Sequence, residues 1–248
     1  MIQRLRFLLA MLAAAAVPAP PAALGADAPL VVELFTSQGC SSCPPADTFI
    51  GELAERPGVI ALSLAVDYWD YLGWKDTLAH PAHSDRQRAY AEARGDRLVF
   101  TPQVVVNGRN SVPGHDRAAI ERALQAARTD APVPVSAAVN GERIDVTVGG
   151  TAGTGSAPAR SGEVWVLGVQ RRAAVEIGRG ENAGQTATYR NVVRHIRRIA
   201  DWTGQTTKVA VERAAFAGRE CDLLVVLVQT APEGRLGPVV GASVVPLR

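Results

Sequence analysis

Leu30 to Thr36 reads LVVELFT, a short apolar run rich in β-branched residues, and Gly39 closes it; this predicts a buried strand. From Ser41 to Glu55 the apolar positions Phe49, Ile50, Leu53 and Ala54 fall at helical spacing, and Pro57-Gly58 stops the helix. Val59 to Val66 (VIALSLAV) predicts a second buried strand. Asp67 to Asp76 is an aromatic, acidic loop, and Pro81 to Arg94 reads as a polar helix ending at Gly95. Gln103 to Val106 and Arg109 to Val112 flank Asn107-Gly108, the dipeptide that tight hairpins favour. An Ala/Leu-rich helix over Asp116 to Arg128 closes the half. The order is β-α-β-α-β-β-α, and its strand–helix–strand opening implies a parallel pair with a right-handed crossover.

The pattern changes after residue 129. Thr129 to Pro134 (TDAPVP) reads as a linker. Beyond it, Val135–Asn140, Arg143–Val148, Glu163–Gln170, Thr207–Val211, Leu223–Gln229 and Gly241–Val245 are strand-like segments separated by Gly and polar turns. Gly149 to Gly162 is rich in Gly, Ser, Thr and Ala and is expected to be a mobile loop. Val192, Val193, Ile196, Ile199 and Ala200 fit a helix face, although the flanking turns favour a strand. The expected architecture is an α/β thioredoxin-like domain (β-α-β-α-β-β-α) over residues 27–129, a linker over 130–134 and a β-rich, sandwich-like domain over 135–248. No internal repeat is visible.

The first 26 residues stand apart. Arg4 and Arg6 precede the apolar run Phe7 to Val17, and Pro18, Pro20 and Pro21 lead into the small residues Ala22 to Ala26. That is the order of a secretory signal peptide, with cleavage expected after Gly25 or Ala26. The run is shorter than the ~20 residues a spanning helix needs. The mature protein is therefore expected to be periplasmic or secreted, and off the membrane. A net charge of +2, with basic residues spread evenly, gives no reason to expect nucleic acid as a partner. With 47% apolar residues the chain can bury a core without staples. Its three cysteines are then not a disulfide scaffold.

Two of them form Cys40-Ser41-Ser42-Cys43, between a predicted strand and a predicted helix. The first turn of a helix has free N–H groups and a dipole that favours negative charge, so a thiolate is stabilised there. Cys40 is placed as the nucleophile and Cys43, one turn deeper, as the resolving thiol. Pro44 and Pro45 are tolerated in a first turn. Two other readings stay open: an inert disulfide, and a metal site completed by His80 and His83. Thr101-Pro102, just before the hairpin, is expected beside the cysteines; a cis bond there would offer backbone groups to an extended partner. Glu33 is the odd residue of LVVELFT and is either a proton shuttle for Cys43 or a strand-edge acid. Asp67 is expected near the same end, with Tyr68, Trp69 and Trp74 shaping a groove. Cys221 precedes an apolar strand and is expected to be buried.

Several stretches resemble a known family. Val31 to Asp47 (VVELFTSQGCSSCPPAD), Val66 to Asp76 (VDYWDYLGWKD), Thr101 to Gly108 (TPQVVVNG), Arg179 to Gly184 (RGENAG) and Asn191 to Arg194 (NVVR) are similar to the secreted thioredoxin-like proteins grouped as domain of unknown function 1223. The resemblance covers nearly all of the mature chain. It implies a thioredoxin-like fold, export and a second β-rich region in which Asn191-Val192-Val193 is a strand; it supplies no substrate. The chain departs from the pattern at Ala65 and Arg190, where many members carry His, and Gly39 stands where thioredoxins have Trp. The leading expectation is an exported thiol–disulfide oxidoreductase acting on protein or small thiols and disulfides, with no organic cofactor and no metal. The alternatives are a binding module without turnover and a carrier of a soft metal such as Cu(I).

Overall fold

The computed structural model describes residues 29–127, 132–151, 161–217 and 220–248. The expected signal peptide lies outside the described residues, as do residues 128–131 at the expected linker and residues 152–160 of the expected mobile loop.

The first half folds as β1 (Leu30–Thr36), α1 (Pro44–Ala54), β2 (Val59–Ala65), α2 (Pro81–Arg94), β3 (Gln103–Val106), β4 (Asn110–Pro113) and α3 (Arg117–Ala126). β1 is central here. It runs parallel to β2, from Leu30 opposite Val59 to Thr36 opposite Ala65, and antiparallel to β3. The Asn107-Gly108 turn joins β3 to β4 as an antiparallel hairpin. α2 starts with His80 accepting from the Ala82 N–H and stops at Gly95, whose φ of 76° suits a residue without Cβ.

The second half contributes β5 (Val135–Asn140), β6 (Arg143–Val148), β7 (Gly162–Glu176), β8 (Thr186–Trp202), β9 (Thr207–Glu212), α4 (Ala214–Ala217), β10 (Leu223–Thr230) and β11 (Val239–Pro246). The fold class expected from the sequence is overturned at this point. No α/β thioredoxin-like domain is followed by a separate β sandwich. One mixed sheet of eight strands, in the order β11-β10-β7-β8-β2-β1-β3-β4, runs through both halves. The reason lies in β7 and β8, which are 15 and 17 residues long. Their hairpin reaches back to the free edge of β2, where Val192 pairs with Ser63 in parallel and the Ser63 hydroxyl donates to the Arg190 carbonyl. Asn191, at a φ of 46°, donates its side-chain amide to the Ala61 carbonyl. The three remaining strands form a small sheet, β5-β6-β9.

Period-two alternation sorts the core. Val31 and Phe35 of β1, Leu62 and Leu64 of β2, Leu167 and Val169 of β7 and Val225 of β10 share one cluster with Tyr90 of α2. Val32 and Leu34 point the other way, onto α1 and α3. Val164, Val166, Leu224 and Val226 point away from the shared cluster as well, and pack with Ile144 and Val146 of the small sheet. The helix-like spacing of residues 192–200 also has a cause. The pairing of β7 with β8 shifts between Val164 and Trp165 and between Gly168 and Val169, so residues 199 and 194 are bulged. Each bulge resets the alternation and imitates a longer period.

Candidate functional site

The site sits where β1 ends. Thr36 is followed by a tight turn in which the Cys40 N–H donates to the Ser37 carbonyl, and Cys43 is the N-cap of α1. α1 therefore begins at Pro44, three residues later than the spacing suggested, with Pro44 and Pro45 in its first turn. Cys40 and Cys43 are joined as a disulfide. Cys40 exposes 4% of its surface and Cys43 none, so any partner meets Cys40 first.

Thr101-Pro102 is cis. Trp69 ties it to the cysteine turn: its indole N–H donates to the Thr101 hydroxyl at 2.7 Å, while its Cβ lies 3.4 Å from where a side chain on Gly39 would start. Gly114 has room for no Cβ; one there would lie 2.8 Å from Pro102 and 3.0 Å from Ala46 of α1. The missing side chain lets the cis-proline pack against the first turns of α1.

Glu33 lies elsewhere. It faces the same side of β1 as Val31 and Phe35, away from α1. There it is fully buried in a two-pronged pair with Arg86 (2.6 and 3.0 Å) and accepts from the Tyr90 hydroxyl at 2.5 Å. Asp67 follows β2, and its carboxylate accepts from the Ser84 hydroxyl on α2. His83 is buried with Nδ1 2.8 Å from the Ala65 carbonyl, and His80 caps α2. Among the described residues no group of three or more His, Cys, Asp or Glu is arranged to hold a metal ion. Cys221 is buried against Gly168, far along the chain in the cluster under the small sheet.

Two features of the site escaped the sequence reading. Asp47 is the buried carboxyl on the cysteine side. It lies one helical turn beyond Cys43, its N–H donates to the Cys43 carbonyl, and its Oδ1 accepts from the Thr36 hydroxyl at 2.7 Å. Burial pushes its pKa up to about 7; the Thr36 bond opposes the rise and the nearby Asp76 adds to it. Asp76 is itself raised by burial, and it accepts from the Gln38 and Leu78 N–H groups. The local carboxyls therefore oppose a thiolate, and the end of α1 must supply what favours one.

The second feature is Asn182. The turn between β7 and β8 lies over the cysteines, and the Asn182 amide donates to both the Gln38 and Cys40 carbonyls at 2.9 Å. Glu181 accepts from the Ser41 N–H at 3.3 Å. Trp74, expected from the sequence to help shape a groove here, packs on Gly178 and donates to the Gln38 side chain at 2.8 Å. An acid four residues after Cys43 was a visible signal for Asp47. Asn182 had none beyond its place in the RGENAG stretch, because it sits 142 residues from Cys40. Asn182→Ala strips a donor from two carbonyls and is expected to cost about 1–3 kcal/mol. It should also speed alkylation of reduced Cys40. Urea unfolding and labelling rates check this; a variant unchanged in both would show that the turn does not hold the cysteines.

A crystallographically solved protein of Agrobacterium tumefaciens is 32% identical, with a TM-score of 0.76 over 90% of this chain and 97% of its own. HBP35 of Porphyromonas gingivalis is 14% identical, with a TM-score of 0.60 over 89% of this chain and 75% of its own, a likeness of fold alone. Among curated proteins none matches. A family model matches residues 31–229, a span that includes both cysteines, the cis-proline, Asp47 and Asn182, and the chain belongs to that family, described as protein of unknown function DUF1223.

Proposed function

We propose that the protein is an exported thiol–disulfide oxidoreductase. The observation that carries this reading is a Cys40–Cys43 disulfide at the N-terminus of α1 that shares its corner with a cis-proline and a buried carboxyl. An inert staple needs neither of those neighbours. Export follows from the signal-like first 26 residues, and an oxidising compartment suits a pair that cycles.

In the reduced protein the Cys40 thiolate attacks one sulfur of a partner disulfide, and the partner's other sulfur leaves as a thiolate. Cys43 then passes its proton to the Asp47 carboxylate and attacks the Cys40 sulfur. The mixed disulfide breaks, the partner's second thiolate leaves and takes up a proton, and the Cys40–Cys43 bond is restored. Two electrons have moved from the Cys pair to the partner; the reverse sequence oxidises a partner dithiol. The direction is set by the potential of the pair against its partner's. Thr101 and Pro102 would align the partner's backbone beside Cys40.

A Cys43→Ser variant should accumulate mixed disulfides with exported proteins, and Cys40→Ser should not. Cys40 in the reduced protein should alkylate first, with a rate that titrates below pH 8, since helix-terminal thiols fall to about 3.5–7.5. A Cys43→Ser variant that traps nothing, with both thiols sluggish and unshifted, would leave a binding module as the better account.

A further inference from the structure

β4 is the last strand at its end of the eight-stranded sheet. The opposite edge is partly covered, because the Val133 N–H donates to the Val240 carbonyl of β11. The β4 edge instead floors a groove of about 900 Å³ between α3 and the segment that links α2 to β3. The phase of the hairpin fixes what this edge presents. The Gly114 N–H donates to the Pro102 carbonyl, so the bonded pairs are Val104 with Val112 and Val106 with Asn110. Ser111 therefore turns its backbone N–H and C=O outward, into the groove.

The walls carry charge and apolar surface together. Arg94, Arg97, Arg109 and Arg122 line the groove against one acid, Asp96, which pairs with Arg94. Arg97, Arg109 and Arg122 have no ion-pair partner among the described residues. Leu98 leaves 82% of its surface in water, the largest such fraction among the described large apolar side chains, and Phe100 leaves 41%. Opposite them α3 presents Ala119, Ala123 and Ala126, which give the groove its depth. An edge that only needed protection from aggregation would carry charge without exposed Leu and Phe.

The geometry points to a docking site for an extended, acidic segment of a partner protein, which adds a strand to β4. The outward N–H and C=O of Ser111 match a peptide backbone. The arginines take its carboxylates, and Leu98, Phe100 and the alanine row take its aliphatic side chains. A second copy of this chain is disfavoured, since two β4 edges would bring arginine against arginine. The inference goes beyond thiol exchange and does not need it.

Fluorescence anisotropy on the mature chain tests it, with a labelled peptide alternating Glu with Val or Leu. Binding is expected, and the paired substitution Arg109→Glu/Arg122→Glu should weaken it by about tenfold or more. Both positions are exposed, so circular dichroism should show the fold intact. Leu98→Ser should weaken it as well, and backbone N-methylation at alternate residues of the peptide should abolish it. The proposal is overturned if a Lys-for-Glu peptide binds as well, or if the charge reversal changes nothing. N-methylated peptide binding unimpaired overturns it too. So does equal, charge-driven binding of single-stranded DNA or anionic vesicles, or concentration-dependent dimerisation through this edge.

Discussion

Replacing Arg86 with Met is expected to destabilise the protein by about 3–5 kcal/mol, because it leaves Glu33 as a buried charge without its counter-ion. Glu33 and Arg86 are both fully enclosed between β1, α2 and β10, where Arg86 also donates to the Tyr90 hydroxyl (2.8 Å) and to Gln229 of β10 (2.7 Å). Gln229 in turn donates to the Gly237 carbonyl and the Tyr90 hydroxyl. The network thus ties the first half of the sheet to the second. A double variant, Glu33→Leu with Arg86→Met, removes both charges and should recover at least half of the loss. Urea unfolding of the three chains is the measurement. A single-variant cost below about 1 kcal/mol, or a double variant no better than the single, would show that the pair is not what holds this region.

The same network shows what a linear reading can and cannot see. LVVELFT announced a buried strand, and that strand is β1. The sequence left its one acid as a proton shuttle for Cys43 or an acid at the strand's edge; it is instead buried in the core, paired with Arg86, 53 residues away on another element. Period two alone settled only that Glu33 and Phe35 share a face. The cis-proline, the Asn-Gly hairpin and α1 to α3 were legible for a different reason: turn chemistry and helix boundaries are local. The class of the fold was not. It hinged on the 15- and 17-residue strands β7 and β8, whose bulges break the alternation and whose partner, β2, lies on the other side of the chain. Composition shifted after residue 129, but the sheet did not end there. The candidate site was half visible for the same reason. Cys40, Cys43 and Pro102 belong to short motifs, whereas Asn182 is brought to them by the β7–β8 turn.

Asp47→Asn is expected to flatten the pH dependence of stability and to slow thiol exchange together. The folded protein holds the Asp47 carboxyl at about 7 against an ordinary 3.8. Below the ordinary value both states are protonated and the group contributes nothing. Between the two values the unfolded chain ionises while the folded one does not, so stability falls as pH rises; above about 7 the loss is complete. At about 1.4 kcal/mol per unit, the stability difference between the wild type and the variant should shift by roughly 3–4 kcal/mol from pH 4 to pH 8, in favour of the variant at the higher pH. The carbonyl of the introduced asparagine still accepts from the Thr36 hydroxyl, which keeps the local geometry. It cannot take a proton from Cys43. Resolution of the mixed disulfide should therefore slow by about a hundredfold, within the range for a lost general base, and an inflection near pH 7 in the wild-type rate should vanish. Stability curves that remain parallel would mean that Asp47 is not raised. A flattened stability curve with an unchanged exchange rate would keep the buried carboxyl and remove it from the chemistry.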